Sequence, residues 1–193
     1  SHSFDGESQV LKVKHKNYIK NIKINLIGKI QLKNILMAIL AALKSNISLS
    51  EILLIIPKIN SVDGRFEKVG KIKNKSKVIL DYAHTPDALK ICLSNLREQF
   101  PNKKINLLFG CGGNRDQNKR SKMGKIADDF SDKIYLTDDN PRYESPIKIR
   151  ADIKKGIKSK KVIEISSRAT AIFNAINNLN TGEILLVAGK GHE

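Results

Sequence analysis

The chain has 193 residues, 40% of them hydrophobic, enough for one medium domain with a core, or one domain and a piece of another. No apolar run reaches the roughly 18 residues that span a bilayer, and the start SHSFDGESQV lacks the basic and apolar regions of a signal peptide, so a soluble, cytoplasmic protein is expected. A formal charge of +16 invites nucleic acid or a membrane surface as partner, but the lysines are dispersed among Ile and Asn, as AT-rich codons favour. Only 5% of residues are aromatic and no basic run alternates with stacking aromatics, so neither partner is expected.

In chain order, QVLKVKHKNYIKNIKINL predicts a hairpin, KIQLKNILMAILAALKS an apolar-striped helix and SLSEILLIIP a second, short one. Pro57 and the polar KINSVDGR mark a domain boundary near residue 60, and the part before it has too few elements to close a core alone. From Arg65 onward a β-rich run, a glycine-rich or polar loop and a helix recur. The strands are KVILDYA, KINLLFG, KIYLT, KVIEI and EILLVAG. Helices begin at Pro86 behind Thr85, near Arg120, at Pro146 behind Ser145 and near Ser167, where Thr and Ser are good N-caps and Pro suits the first helical position. This alternation predicts an α/β fold: a doubly wound, mostly parallel, Rossmann-like sheet with helices on both faces, preceded by a partial α/β segment. Only Cys92 and Cys111 are present, with no CxxC pair and no zinc-spaced His/Cys cluster, so neither a disulfide framework nor a structural zinc is indicated. The absence of an initial Met and the abrupt stop at GKGHE suggest a fragment.

Ligands of open α/β sheets sit at the carboxyl ends of the strands. Four strands here end in DYAHTPDA, GCGGNRDQNKR, TDDNPR and AGKGHE, so these loops should share one rim. In the second, Gly110, Gly112 and Gly113 let backbone N–H groups approach an anion, although neither GxGxxG nor a Walker motif is present. Asp81, His84 and Asp87 of the first have bland readings as loop and helix-start residues. In DDNPR, Arg142 offers a planar fork for a carboxylate or phosphate, Asp139 and Asn140 offer acceptors for an ammonium or hydroxyl, and Pro141 stiffens the turn. That combination suits a zwitterion such as an amino acid; on the residues alone it stands level with a self-satisfied Asp/Arg surface pair worth at most about 1 kcal/mol.

In this order and spacing, DYAHTPDAL, FGCGGNRD with its following KR and MG, TDDNPR and AGKGHE resemble the C-terminal domain of the Mur ligases, and DNPR resembles the signature of their diaminopimelate-adding type. LIGKIQLKNILMAILAAL and VDGRFEKVG look like the end of the family's central ATPase domain and its junction into the third, so the resemblance covers essentially the whole chain. It implies residues 1–60 as the end of the central domain and 61–193 as the amino-acid-binding domain, lacking a short C-terminal tail. It also implies an ATP- and Mg²⁺-dependent, monomeric ligase of peptidoglycan synthesis that joins meso-diaminopimelate to UDP-N-acetylmuramoyl-L-alanyl-D-glutamate through an acyl phosphate. By resemblance Arg115, Asp139, Asn140, Pro141, Arg142, Gly189 and Glu193 contact diaminopimelate, while Asp81, His84, Gly110, Gly112 and Gly113 face the nucleotide. The family's phosphate-binding loop, Mg²⁺ ligands and UDP-sugar pocket have no motif here, so this chain alone should lack ligase activity. Asn114 stands where relatives often carry an acid.

Overall fold

The computed structural model describes residues 1–5, 8–15, 18–69, 72, 74–159 and 162–190. Its first part is an antiparallel sheet, β1 (His2–Asp5), β2 (Ser8–His15) and β3 (Tyr18–Ile24), followed by α1 (Lys29–Lys44) and α2 (Leu49–Ile55). The expected hairpin is β2–β3, and α2 starts at a capping box between Ser48 and Glu51. Contrary to expectation, this segment encloses a small core of its own. Ile22 and Ile24, two apart on a strand, meet Leu32, Ile35 and Ile39, three to seven apart on a helix, with Ile52, Leu53 and Ile56 closing the end. The core is one-sided: Leu36, Met37 and Leu40 of α1 and Leu54 and Ile55 of α2 stay exposed.

The second part is a sheet of β4 (Glu67–Val69), β5 (Lys77–Asp81), β6 (Ile105–Phe109), β7 (Lys133–Leu136), β8 (Val162–Glu164) and β9 (Ile184–Ala188), ordered β4-β5-β9-β6-β7-β8 among the described residues. All pairs are parallel except β4–β5. The connecting helices are α3 (Pro86–Gln99), α4 (Asn118–Phe130), α5 (Pro146–Lys154) and α6 (Arg168–Asn177).

Strand alternation sorts the core into two faces. Ile105, Leu107 and Phe109 pack with Leu89, Leu93 and Leu96 of α3, Met123 and Ala127 of α4, and Ile149 and Ile153 of α5. Leu108, Tyr135, Leu185 and Val187 pack on Ala171 and Ala175 of α6. Right-handed crossovers explain this division: α3 to α5 carry the chain outward to β8, and α6 must cross the other face to return the chain to β9 in the middle. The central strands β6 and β9 are buried along their whole length, as parallel strands covered on both sides must be.

Thr85 and Ser167 cap their helices by accepting from the Ala88 and Thr170 N–H groups, whereas Ser145 makes no side-chain cap bond. Both cysteines are buried and free, and burial pushes the Cys111 thiol up to about 11, out of reactive range. The two parts are joined at α3, where Gln99 Oε1 accepts from the Gly28 N–H at 2.8 Å and Asn95 Oδ1 from the Ile30 N–H at 3.1 Å.

Candidate functional site

The rim at the carboxyl ends of β5, β6, β7 and β9 brings the predicted loops together, and the β6 and β7 loops are zipped to each other. The Gly113 N–H donates to the Asn140 carbonyl at 2.8 Å, the Tyr143 N–H to Asn114 Oδ1 at 3.0 Å, and Arg142 Nη1 to the Gly113 carbonyl at 2.8 Å. Glycine is required for this approach, since a Cβ on Gly113 would lie 1.8 Å from the Pro141 oxygen and one on Gly110 2.3 Å from the Thr137 oxygen. Asn114 and Arg142 both have φ of +50°, a left-handed conformation that Asn tolerates better than most residues and that costs a side chain such as arginine about 1–2 kcal/mol. This gives Asn114 a role that needs no charge: it fits the backbone and accepts a bond from the opposite loop.

The adjacent acids of TDDNPR have different fates. Asp138 is paired with Arg150, which also binds Glu164 at 2.7 Å, and the Asp138 N–H donates to the Ser166 carbonyl. Hydrogen bonding to Glu164 and Asp138 pushes the Arg150 pKa up, so this trio belongs to the scaffold. Asp139 faces the rim. Its carboxylate accepts from the Asn140 N–H at 2.7 Å, lies 3.8 Å from Lys190 Nζ, and stands 3.5 Å from where a Cβ on Gly189 would be. Gly189 has φ of +100°, which favours glycine.

Arg115 is exposed and makes no hydrogen bond or ion pair among the described residues. Arg142 is likewise exposed and uses one guanidinium nitrogen on the Gly113 carbonyl, with no acid partner among the described residues. Pro141 and Asn140 shape the turn that presents it, through Glu144 N–H to Pro141 O at 3.0 Å and Arg142 N–H to Asn140 Oδ1 at 3.2 Å. Glu193 lies outside the described residues.

At the β5 loop, Asp81 is buried and both carboxylate oxygens accept backbone N–H groups, from Phe66 at 2.9 Å and Ala83 at 2.8 Å, so it shapes the turn from within. His84 is exposed, its ring 4.7 Å from that of Tyr82. The Arg65 guanidinium lies over the Tyr82 ring, 4.6 Å from its centroid, and Lys119 Nζ donates to the His84 carbonyl at 2.9 Å. Sequence reasoning passed over Arg65, Tyr82 and Lys119. It also passed over Arg168, which donates through Nη2 to the Ala188 carbonyl at 2.9 Å while its buried Nη1 has no partner among the described residues. Burial pushes the Arg168 pKa down, and Asp139 opposes that shift. The signal for Arg168 was available: SSR follows the strand KVIEI and therefore falls on the same rim.

Among the described residues no group of three or more His, Cys, Asp or Glu side chains is arranged to hold a metal ion, and no helix is long and apolar enough to cross a membrane. The fold is of the Mur ligase type: the profile of the Mur ligase glutamate-ligase domain matches residues 64–191, and the chain belongs to this family. It is 43% identical over 178 residues to the UDP-N-acetylmuramoyl-L-alanyl-D-glutamate--2,6-diaminopimelate ligase of Rickettsia typhi, covering 92% of this chain and 35% of that protein. To the ligase of the same name from Fusobacterium nucleatum it is 47% identical over 182 residues, 94% of this chain and 37% of that protein. A solved structure of a ligase of that name superposes with a TM-score of 0.75 at 32% identity, covering 100% of this chain and 39% of the other. A UDP-N-acetylmuramate-alanine ligase from Thermotoga maritima shares the fold, with a TM-score of 0.74 at 21% identity over 98% of this chain and 41% of the other. The chain thus spans little more than a third of the length of these relatives.

Proposed function

We propose that this chain is the amino-acid-receiving part of an ATP-dependent, cytoplasmic, monomeric ligase of peptidoglycan synthesis that adds meso-diaminopimelate to UDP-N-acetylmuramoyl-L-alanyl-D-glutamate. Residues 1–60 are then the end of a central domain and 61–193 the third domain. The observation that carries the reading is the pair of rim arginines without acid partners among the described residues, Arg115 and Arg142, beside the free face of Asp139. The names of the relatives agree with it.

Diaminopimelate carries an amino-acid head at each end. One amine must reach the activated D-glutamyl carboxylate while the rest of the molecule is held. Arg142 and Arg115 donate to its carboxylates, and Asp139 accepts from the ammonium that is recognised rather than used. L-lysine has no second carboxylate and would leave a guanidinium unanswered, which sites built on polar partners reject strongly. The contribution of these side chains to the reaction is to position the nucleophile.

The nucleotide end of the rim fits ATP through Arg65 and Lys119 as cations for phosphate and Tyr82 and His84 as a ring surface; ATP supplies the phosphoryl group that activates the carboxylate. The described residues do not fit Mg²⁺, because Asp81 is engaged on both oxygens and no acid cluster accompanies it. Metal binding falls to other parts of the full-length enzyme.

The test is Arg142→Lys and Arg142→Ala in the full-length enzyme. Hydrogen bonds to charged groups contribute about 1.5–3 kcal/mol, so the KM for diaminopimelate should rise roughly 10- to 100-fold with little change in that for ATP. Equal effects on both substrates sink the assignment.

A further inference from the structure

We propose that Arg120, through Glu144, is a positioning residue that sets the spacing between the two rim arginines. The proposal rests on the assignment of Arg115 and Arg142 to the amino acid.

Arg120 is the largest fully buried side chain described, at 0% exposure, and lies on α4 beneath the rim. Burying a guanidinium is costly unless its donors are matched, and a hydrophobic side chain of similar volume often serves stability as well. The arrangement here is directional instead. Arg120 Nη2 donates to both oxygens of Glu144, at 2.9 and 2.8 Å, and Nη1 to Asp152 at 3.2 Å. Glu144 Oε1 also accepts the Asn114 N–H at 2.5 Å.

Asn114 immediately precedes Arg115, and Glu144 lies two residues after Arg142. One carboxylate therefore binds the backbone beside the first arginine to the segment that bears the second, and a buried cation holds that carboxylate in place. The clasp also bears on backbone strain. Asn114 and Arg142, both at φ of +50°, flank it, and non-glycine residues keep such conformations only where their surroundings over-determine them. Arg120 meets the rim loops through Glu144 and acts by fixing where Arg115 and Arg142 stand.

The experiment uses Glu144→Ala, Glu144→Gln and Asp152→Asn in the full-length enzyme, with Arg142→Lys in parallel. Glu144→Gln keeps shape and one acceptor and guards against misfolding of the Ala variant. Asp152→Asn removes the charge of the other partner of Arg120 without touching either loop. A misplacement of about 1 Å can cost up to ~100-fold in use of a substrate. Glu144→Ala should therefore raise the KM for diaminopimelate at least about tenfold, Glu144→Gln less, with that for ATP nearly unchanged. Asp152→Asn should lower the melting temperature without the KM split. A diaminopimelate KM unmoved in both Glu144 variants, or moved as much by Asp152→Asn, overturns the proposal. The Arg142→Lys arm then shows whether the amino-acid reading survives without the clasp or fails with it.

Discussion

Gly113→Ala tests the zipped loops most directly. The new Cβ would fall 1.8 Å from the Pro141 oxygen and 2.6 Å from its carbonyl carbon, both backbone atoms that no rotamer change can move aside. Reaching an ordinary contact of 3.4 Å requires the loops to part by about 1.6 Å. Two of the bonds across that gap are made by Gly113 itself, its N–H to Asn140 O and its carbonyl from Arg142 Nη1, each 2.8 Å. A neutral bond contributes about 1 kcal/mol and one from a guanidinium about 1.5–3, so roughly 2–4 kcal/mol of local stability is at stake. The functional effect is of similar size: displacing Arg142 by more than 1 Å should lower kcat/KM for diaminopimelate by about 100-fold, which is about 2.7 kcal/mol. Steady-state kinetics of the full-length enzyme, with each substrate varied in turn, measures this. Gly182→Ala is the control. Gly182 has φ of +76° at the start of β9, the opposite end of the sheet, and should lose about 1–2 kcal/mol of stability without a substrate-selective effect. If both variants depress the two substrates equally, the loop pairing only stabilises the fold and does not place Arg142.

Two further expectations concern charge. The Asn114 N–H and the Arg120 guanidinium hold the Glu144 carboxyl below the usual glutamate range; a group depressed in the folded state stabilises above its unfolded pKa and loses that contribution as pH falls through the folded one. From about pH 5 downward the melting temperature of the wild type should therefore drop more steeply than that of Glu144→Gln, which has no proton to gain, as melts between pH 7 and 3 would reveal. Asp138→Asn should lower the melting temperature by unbalancing Arg150, whereas Asp139→Asn should leave it nearly unchanged and weaken diaminopimelate, a contrast that combined melting and kinetic measurements resolve.

The parallel strands were legible because burial on both faces writes them as short apolar runs, and β5, β6, β7, β8 and β9 lie within the runs read. Helix starts were legible where Pro stood behind Thr85 or Ser145. β4 escaped because Glu67–Val69 is a short edge strand with no buried residue, and β1 because HSFD has too few residues to alternate. The clustering of the rim loops followed from topology alone. What could not be read was the direct loop-to-loop pairing, since Gly113 and Pro141 meet only after β6 and β7 are set side by side. Arg65 escaped for the same reason, its guanidinium reaching Tyr82 at the open end of the antiparallel β4–β5 pair.

The adjacent acids Asp138 and Asp139 show why composition of a motif underdetermines its chemistry. By sequence they are equivalent; by position one reaches back to Arg150 on α5 and the other faces Lys190 and Gly189. The same division runs through the arginines. Arg120 and Arg150 each hold two carboxylates supplied by the fold, Glu144 with Asp152 and Asp138 with Glu164. Arg115 and Arg142 have none among the described residues. Four acids are thus engaged by buried arginines, and Asp139 is left on the rim with Lys190, near arginines that hold no acid among the described residues. On the proposed assignment, that surface complements a molecule with more than one carboxylate and an ammonium beside them, as meso-diaminopimelate is and lysine, with a single carboxylate, is not.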